Sequence, residues 1–289
     1  MDVRAALAAC GSTAEIYRAQ IDAENCLAPA EVEALAADHA SLPEAAQPWI
    51  LKLAATCASI CATTQPYRRR DLGENAMMFE APAPSDAPRC LVVAFTGIAL
   101  RMMLPVAGFL QALPAERCDV LVLRDPDRVC FLQGVPGYAA DIPALAARLA
   151  ADLPMARYTH RCCVGTSSGG AAALVLGPLI GARVALALGG GHPQGLAQRA
   201  PPGTDRAAFD ALLAAPPQPT RRICAFGEGF PRDGVRARLL AMMCQADLLE
   251  VRGVGVHGVL SGLAARKSMD RFLCDVLLGD APPGPAWPA

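Results

Sequence analysis

The stretch on which the reading of this chain turns is Arg161-Cys162-Cys163-Val164-Gly165-Thr166-Ser167-Ser168-Gly169-Gly170-Ala171-Ala172-Ala173-Leu174-Val175-Leu176. A short strand-like run enters Gly165–Gly170, and a helix-forming run leaves it. A serine between glycines at such a junction puts a hydroxyl on a tight, exposed turn, and glycine is needed where the backbone crowds itself and a Cβ would clash. The helix that follows points its free N–H groups toward developing negative charge. A reactive hydroxyl in this setting calls for an acid and then a histidine further along, each just past a strand.

Working outward, residues 72–278 alternate short apolar runs with amphipathic stretches. The candidate strands are 76–80, 90–95, 120–123, 161–164, 184–188, 223–226 and 248–251. The candidate helices are 103–112, 142–153, 168–176, 206–214, 234–244 and 258–277. Alternation of this kind predicts an α/β fold: a mostly parallel twisted sheet with helices on both faces, joined by right-handed crossovers. Fully apolar runs such as Leu91-Val92-Val93-Ala94 fit strands covered on both sides. Ligands of such sheets sit at the carboxyl ends of the strands.

Residues 1–66 carry no strand signal and read as a small helical extension, 67–280 as the main domain, and 281–289 as a flexible proline-rich tail. In the extension, Ala28-Pro29 ahead of Glu31 and Glu33 suit a helix start. Ile50, Leu51, Leu53, Ala54, Cys57, Ile60 and Cys61 fit one helical face. That apolar segment offers a surface for packing on the core or for self-association into a homo-oligomer.

Composition narrows the function classes. Of 289 residues 53% are hydrophobic, enough for a substantial core, and Lys+Arg 26 against Asp+Glu 27 leaves a net charge of −1. A nucleic-acid partner would ask for a basic excess, so none is expected. The run Arg68-Arg69-Arg70 reads as a solvated loop, and the charges of Arg124-Asp125-Pro126-Asp127-Arg128 as pairing around a turn. No stretch is long and apolar enough to span a membrane, so no membrane partner is expected. Leu7-Ala8-Ala9-Cys10-Gly11 resembles a lipoprotein cleavage box, but the apolar run before it is too short for a leader. The 12 cysteines lack zinc-knuckle spacing and mostly lie in apolar runs, which reads as buried reduced thiols, a cytoplasmic location and no metal.

With these residues in view, the segment 72–278 resembles the α/β-hydrolase superfamily, in the serine turn, in the order Ser, acid, His, and in the loop positions. The resemblance implies a serine hydrolase acting on an ester, thioester or amide of a small molecule through an acyl-enzyme, without metal or organic cofactor. Ser167 matches the nucleophile. His257, in Val254-Gly255-Val256-His257-Gly258, matches the general base. The acid belongs in the loop after 223–226, where the commonest position holds Phe230. Asp233 is the first choice and Glu228 the reserve, while Asp233 as a helix cap, and Asp205 and Asp210 as lid residues, are the other readings. The backbone N–H groups of Ile98, after Thr96-Gly97, and of Ser168 match the oxyanion hole. Gly97, Arg101 and His192 are candidates for substrate contact, Arg101 and His192 having competing structural uses. His39 and His160 read as structural or exposed. The segment 193–220 reads as a modest lid. An acyltransferase built on the same acyl-enzyme, or a catalytically silent binding or scaffold protein of the same fold, are the alternatives.

Overall fold

The computed structural model describes residues 2–82, 88–193, 204–216, 219–279 and 284–288. The chain begins with four helices, α1 (Val3–Ala8), α2 (Thr13–Glu24), α3 (Pro29–Ala37) and α4 (Gln47–Ile60). Their inward residues, among them Leu7, Val32, Leu35, Ile50 and Leu53, form a core of their own. That core meets the rest of the molecule through Ala107, while Cys26, Ala28 and Ile60 join the cluster under the sheet.

Nine strands follow among the described residues: β1 (Arg68–Gly73), β2 (Ala76–Glu80), β3 (Arg89–Phe95), β4 (Cys118–Leu123), β5 (Tyr158–Thr166), β6 (Val184–Leu188), β7 (Arg221–Gly227), β8 (Asp247–Val251) and β9 (Ala286–Trp287). They form one sheet in the order β1-β2-β4-β3-β5-β6-β7-β8-β9. The β1–β2 and β2–β4 pairs are antiparallel and the rest parallel. Between the strands run α5 (Val106–Gln111), α6 (Ile142–Asp152), α7 (Gly170–Leu179), α8 (Arg206–Ala214), α9 (Pro231–Cys244), α10 (Val259–Ala265) and α11 (Met269–Phe272).

Side chains alternate across each strand, so one sequence feeds two cores. Val92, Val120, Val164 and Leu186 face α5, α10 and α11, whereas Leu91, Leu121, Cys163 and Ala185 face α6 to α9. The adjacent Cys162 and Cys163 therefore lie on opposite faces, and all 12 cysteines are free thiols. Arg89 and Arg222 are the largest buried side chains at the amino edge of the sheet. Arg89 pairs with Asp119, which also accepts from the Tyr158 hydroxyl at 3.2 Å. Arg222 donates to the carbonyls of Leu174 (2.9 Å), Leu213 (2.8 Å), Ala215 (2.9 Å) and Cys244 (3.0 Å), so carbonyls near the ends of α8 and α9 take the place of a counter-ion.

Five expectations are corrected. Arg68-Arg69-Arg70 is not a loop but the start of edge strand β1, where Arg70 pairs across to Glu80 at 3.0 Å; an edge strand with one solvated side tolerates charge. The helix expected over 103–112 starts only at Val106, because Leu100 and Met103 take positive φ (58° and 64°). The helix expected over 258–277 is broken at Lys267, also at positive φ (55°), into α10, α11 and a π-helical end, Leu273–Leu277. Among the described residues Asp125 pairs with no arginine: its carboxylate accepts from the Phe131 N–H at 2.9 Å and closes the loop after β4, while burial raises its pKa. In the tail, Ala286–Trp287 forms β9 because Trp287 is buried edge-on against Phe272 at 5.2 Å, while residues 281–283 and 289 lie outside the described residues.

Candidate active site

Ser167 stands at the carboxyl end of β5, in a single 3-10 turn, Ser167–Gly169, that precedes α7. Its φ is +49°, a left-handed conformation that costs a non-glycine residue about 1–3 kcal/mol. The neighbouring glycines make the turn possible. A Cβ on Gly165 would collide with the Gly169 carbonyl, and one on Gly169 would come within 2.6 Å of the Thr96 carbonyl oxygen.

His257 arrives on the loop between β8 and α10. Its Nε2 lies 3.0 Å from Ser167 Oγ, and its Nδ1 lies 2.6 Å from Asp233 Oδ2. An ionised carboxylate only accepts, so Nδ1 carries the proton and donates to Asp233. In the neutral ring Nε2 then accepts from the Ser167 hydroxyl. This is the geometry in which an imidazole can take a hydroxyl proton and a carboxylate can steady the resulting cation.

Asp233 is the third residue of α9 and is fully buried. It does not cap the helix; Phe230 occupies that position. The displacement of the acid past Phe230 has a local cause. The Glu228 and Gly229 N–H groups bond to the carbonyls of Val251 and Val254, both at 3.0 Å, tying the loop after β7 to the loop that carries His257. The chain then turns at Phe230, and α9 lifts Asp233 to the imidazole. Asp233 Oδ1 makes no hydrogen bond among the described residues, and Arg236 Nη1 lies 3.8 Å from it. Glu228 points elsewhere, its carboxylate accepting from the Gly253 N–H at 2.8 Å. Asp205 caps α8 through the Ala208 N–H at 2.9 Å, and Asp210 pairs with His192 Nε2 at 2.8 Å.

The loop after β3 lies against the same turn. A Cβ on Gly97 would stand 3.4 Å from that of Ser167. The Gly97 N–H donates to the Arg101 carbonyl at 3.0 Å, which rounds the loop back on itself. The Arg101 guanidinium is turned away to Glu24 of α2 at 3.1 Å, and Glu24 also accepts from the Trp49 indole at 3.0 Å. The adjacent Asn25 amide reaches the Ala99 carbonyl at 3.5 Å. Arg101 and His192 are thus held by Glu24 and Asp210, and the expectation that they meet substrate is not carried by their contacts. His39 Nδ1 bonds to the Ala36 carbonyl at 3.0 Å, and His160 is exposed on β5.

Three neighbours of the site were given no role there by the sequence reading. Gly189 (φ +56°) ends β6 so close to the site that a Cβ there would stand 3.1 Å from Asp233 Oδ2; the run Gly189-Gly190-Gly191 was its available signal. Met103 packs over Gly189, and the Phe230 ring lies 5.9 Å from that of His257. Within the lid-like segment 193–220, residues 194–203 and 217–218 lie outside the described residues. Among the described residues no group of three or more His, Cys, Asp or Glu side chains is arranged to hold a metal ion. None of their helices is long and apolar enough to cross a membrane.

No protein-family model and no curated protein matches this sequence. Solved structures do. The chain is similar to 2,6-dihydroxy-pseudo-oxynicotine hydrolase, at 13% identity over 95% of this chain and 91% of that one, with a TM-score of 0.53. It is also similar to dienelactone hydrolase from Anabaena variabilis, at 14% identity over 73% and 99%, TM-score 0.44. A third is an alpha/beta hydrolase enzyme from the metagenome of lagoon sediments of Mar Chica, Morocco, at 13% identity over 70% and 94%, TM-score 0.43.

Proposed function

The chain has the α/β-hydrolase fold, and on that frame we propose that it is a serine hydrolase cleaving an ester, thioester or amide of a small molecule. One observation carries the reading: the unbroken hydrogen-bonded path from the Ser167 hydroxyl through His257 to the buried Asp233. The likeness to a hydrolase along nearly the whole chain adds to it.

In the proposed reaction Ser167 Oγ attacks the substrate carbonyl carbon while His257 Nε2 takes its proton. The carbonyl oxygen becomes an oxyanion held by the N–H groups of Ile98 and Ser168; each such donor is worth about 3 kcal/mol in the transition state. The imidazolium, steadied by Asp233, returns the proton to the departing alcohol, thiol or amine. Water then repeats the sequence on the acyl-enzyme and frees the acid and the serine. The bent, strained backbone at Ser167 keeps its hydroxyl standing clear of the sheet, and the packed glycines around it hold that position.

A fluorophosphonate probe tests this directly. The native protein should be labelled, the label should map to Ser167, and labelling should vanish in Ser167→Ala. In parallel, a panel of p-nitrophenyl esters should be turned over by the native chain alone. A native protein neither labelled nor active between pH 6 and 9 would leave a silent fold and overturn the reading.

A further inference from the structure

The outward face of α9 is built unlike an ordinary solvated helix face. Its inner face, with Asp233, Ala237, Leu240 and Cys244, is buried. Turned outward are Val235 (55% exposed), Leu239 (57%), Met242 (80%) and Met243 (40%). At about 100° per residue these four side chains share a band about 100° wide. Arg238 borders the band on one side and Arg236 on the other, and Arg232 lies within it at the amino end; all three are exposed. The only acid of the helix, Asp233, is buried. Single exposed apolar residues are ordinary, but a continuous band on one helix bordered only by arginines is not.

We propose that α9 is a docking surface for an anionic lipid bilayer, on which the protein lies peripherally. An apolar band between cationic edges is the pattern of a helix lying in the interface plane: the band enters the acyl boundary while the arginines extend sideways to the headgroups. Charge decides among occupants. A second copy meeting this face about a two-fold axis would bring Arg236 and Arg238 against arginines, with no exposed acid of α9 between them. An anionic surface attracts all three, although Arg236 also lies 3.8 Å from Asp233 and Arg238 lies over the Phe226 ring at 5.6 Å. No spanning segment is needed, and the inference holds whether or not Ser167 is reactive. It does place the amino end of α9 beside the lipid surface, with Asp233 on the buried side of the same helix.

The test is co-sedimentation of the full chain with phosphatidylcholine vesicles and with vesicles containing 30% phosphatidylglycerol. We expect at least tenfold tighter binding to the anionic vesicles, weakened severalfold in 0.5 M salt. Leu239→Ser/Met242→Ser should lower that binding at least tenfold, and Arg232→Gln/Arg238→Gln should bring it down to the level on neutral vesicles. Circular dichroism of both variants should match the native chain. Equal or absent binding to the two vesicle types overturns the proposal, as does full binding by Leu239→Ser/Met242→Ser. So does a native dimer in sedimentation velocity that the same variant converts to monomer, since a second copy then covers the band.

Discussion

The two ends of the parallel strands are constructed on opposite principles. At the amino edge, buried charge is paired by several partners, with Arg89 Nε alone of its nitrogens making no hydrogen bond among the described residues. Asp119 receives Arg89 and the Tyr158 hydroxyl, and Arg222 feeds five carbonyls. Burial pulls the Arg222 guanidinium below its usual range, whereas at Arg89 burial also pulls down but the bond to Asp119 and the charge of Asp119, with smaller help from Tyr67 and Cys118, together raise the group. At the carboxyl edge the same sheet tolerates what a stable core avoids. Ser167, Leu100 and Met103 hold positive φ, and the buried Asp233 Oδ1 has only a distant arginine. Strain of this kind persists only where the surroundings over-determine it. The amino edge supplies the stability that lets the carboxyl edge be strained.

If that division holds, substitutions at the two edges should separate activity from stability. The largest effect belongs to Ser167→Ala, which should lower kcat by about 10⁵–10⁶-fold with little change in thermal midpoint. Ser167→Gly should be as inactive yet gain about 1 kcal/mol in urea unfolding, because glycine accepts φ +49° without strain. Asp233→Asn should lower kcat by about 10⁴-fold, since the amide no longer fixes the imidazole tautomer. Asp119→Ala should do the reverse. It strands Arg89 and costs about 3–5 kcal/mol in urea unfolding, while kcat per probe-titrated site stays within about twofold.

Glu24→Gln probes a link between the edges and the helical segment. Its pair with Arg101 is partly exposed, so the loss is set at about 1 kcal/mol. It should appear as a roughly fivefold lower kcat with KM unchanged, because the Gly97–Arg101 loop loosens around the transition-state oxyanion. The smallest effect concerns thiols. Hydrogen bonding to Cys118 with burial pushes Cys90 up to about 12, and burial pushes Cys130 up to about 12. Their folded values lie above the unfolded value near 9, so their contribution is complete below about pH 9 and fades as pH rises toward 12. Urea midpoints should hold steady to pH 8.5 and decline by pH 9.5, by about 1 kcal/mol or less per thiol.

How much of this was legible in the sequence follows from what each part rests on. The central strands were readable because burial on both faces demands unbroken apolar runs; 76–80 and 184–188 match β2 and β6 residue for residue. The turn at Ser167 was readable because only glycine fits beside it. β1 was not, since an edge strand can be charged, and neither was the break at Lys267, which leaves the apolar periodicity of 258–277 intact. Asp233 could be named only as one of two acids. What separates it from Glu228 is a pair of backbone bonds between distant loops, Glu228 to Val251 and Gly229 to Val254. An ion-pair use of Arg101 could be foreseen but not its partner, because Glu24 lies 77 positions away with no periodicity to announce it.

The two residues of β9 bear on how the protein should be handled. The Glu250 and Arg252 N–H groups reach the carbonyls of Pro285 and Trp287, both at 3.0 Å, so β8 is not the last ribbon of the sheet. Shortening the chain before residue 284 would uncover a row of free donors and acceptors along β8, and molecules so trimmed should stick to one another flank to flank. A purification tag is therefore better placed ahead of α1 than after Trp287.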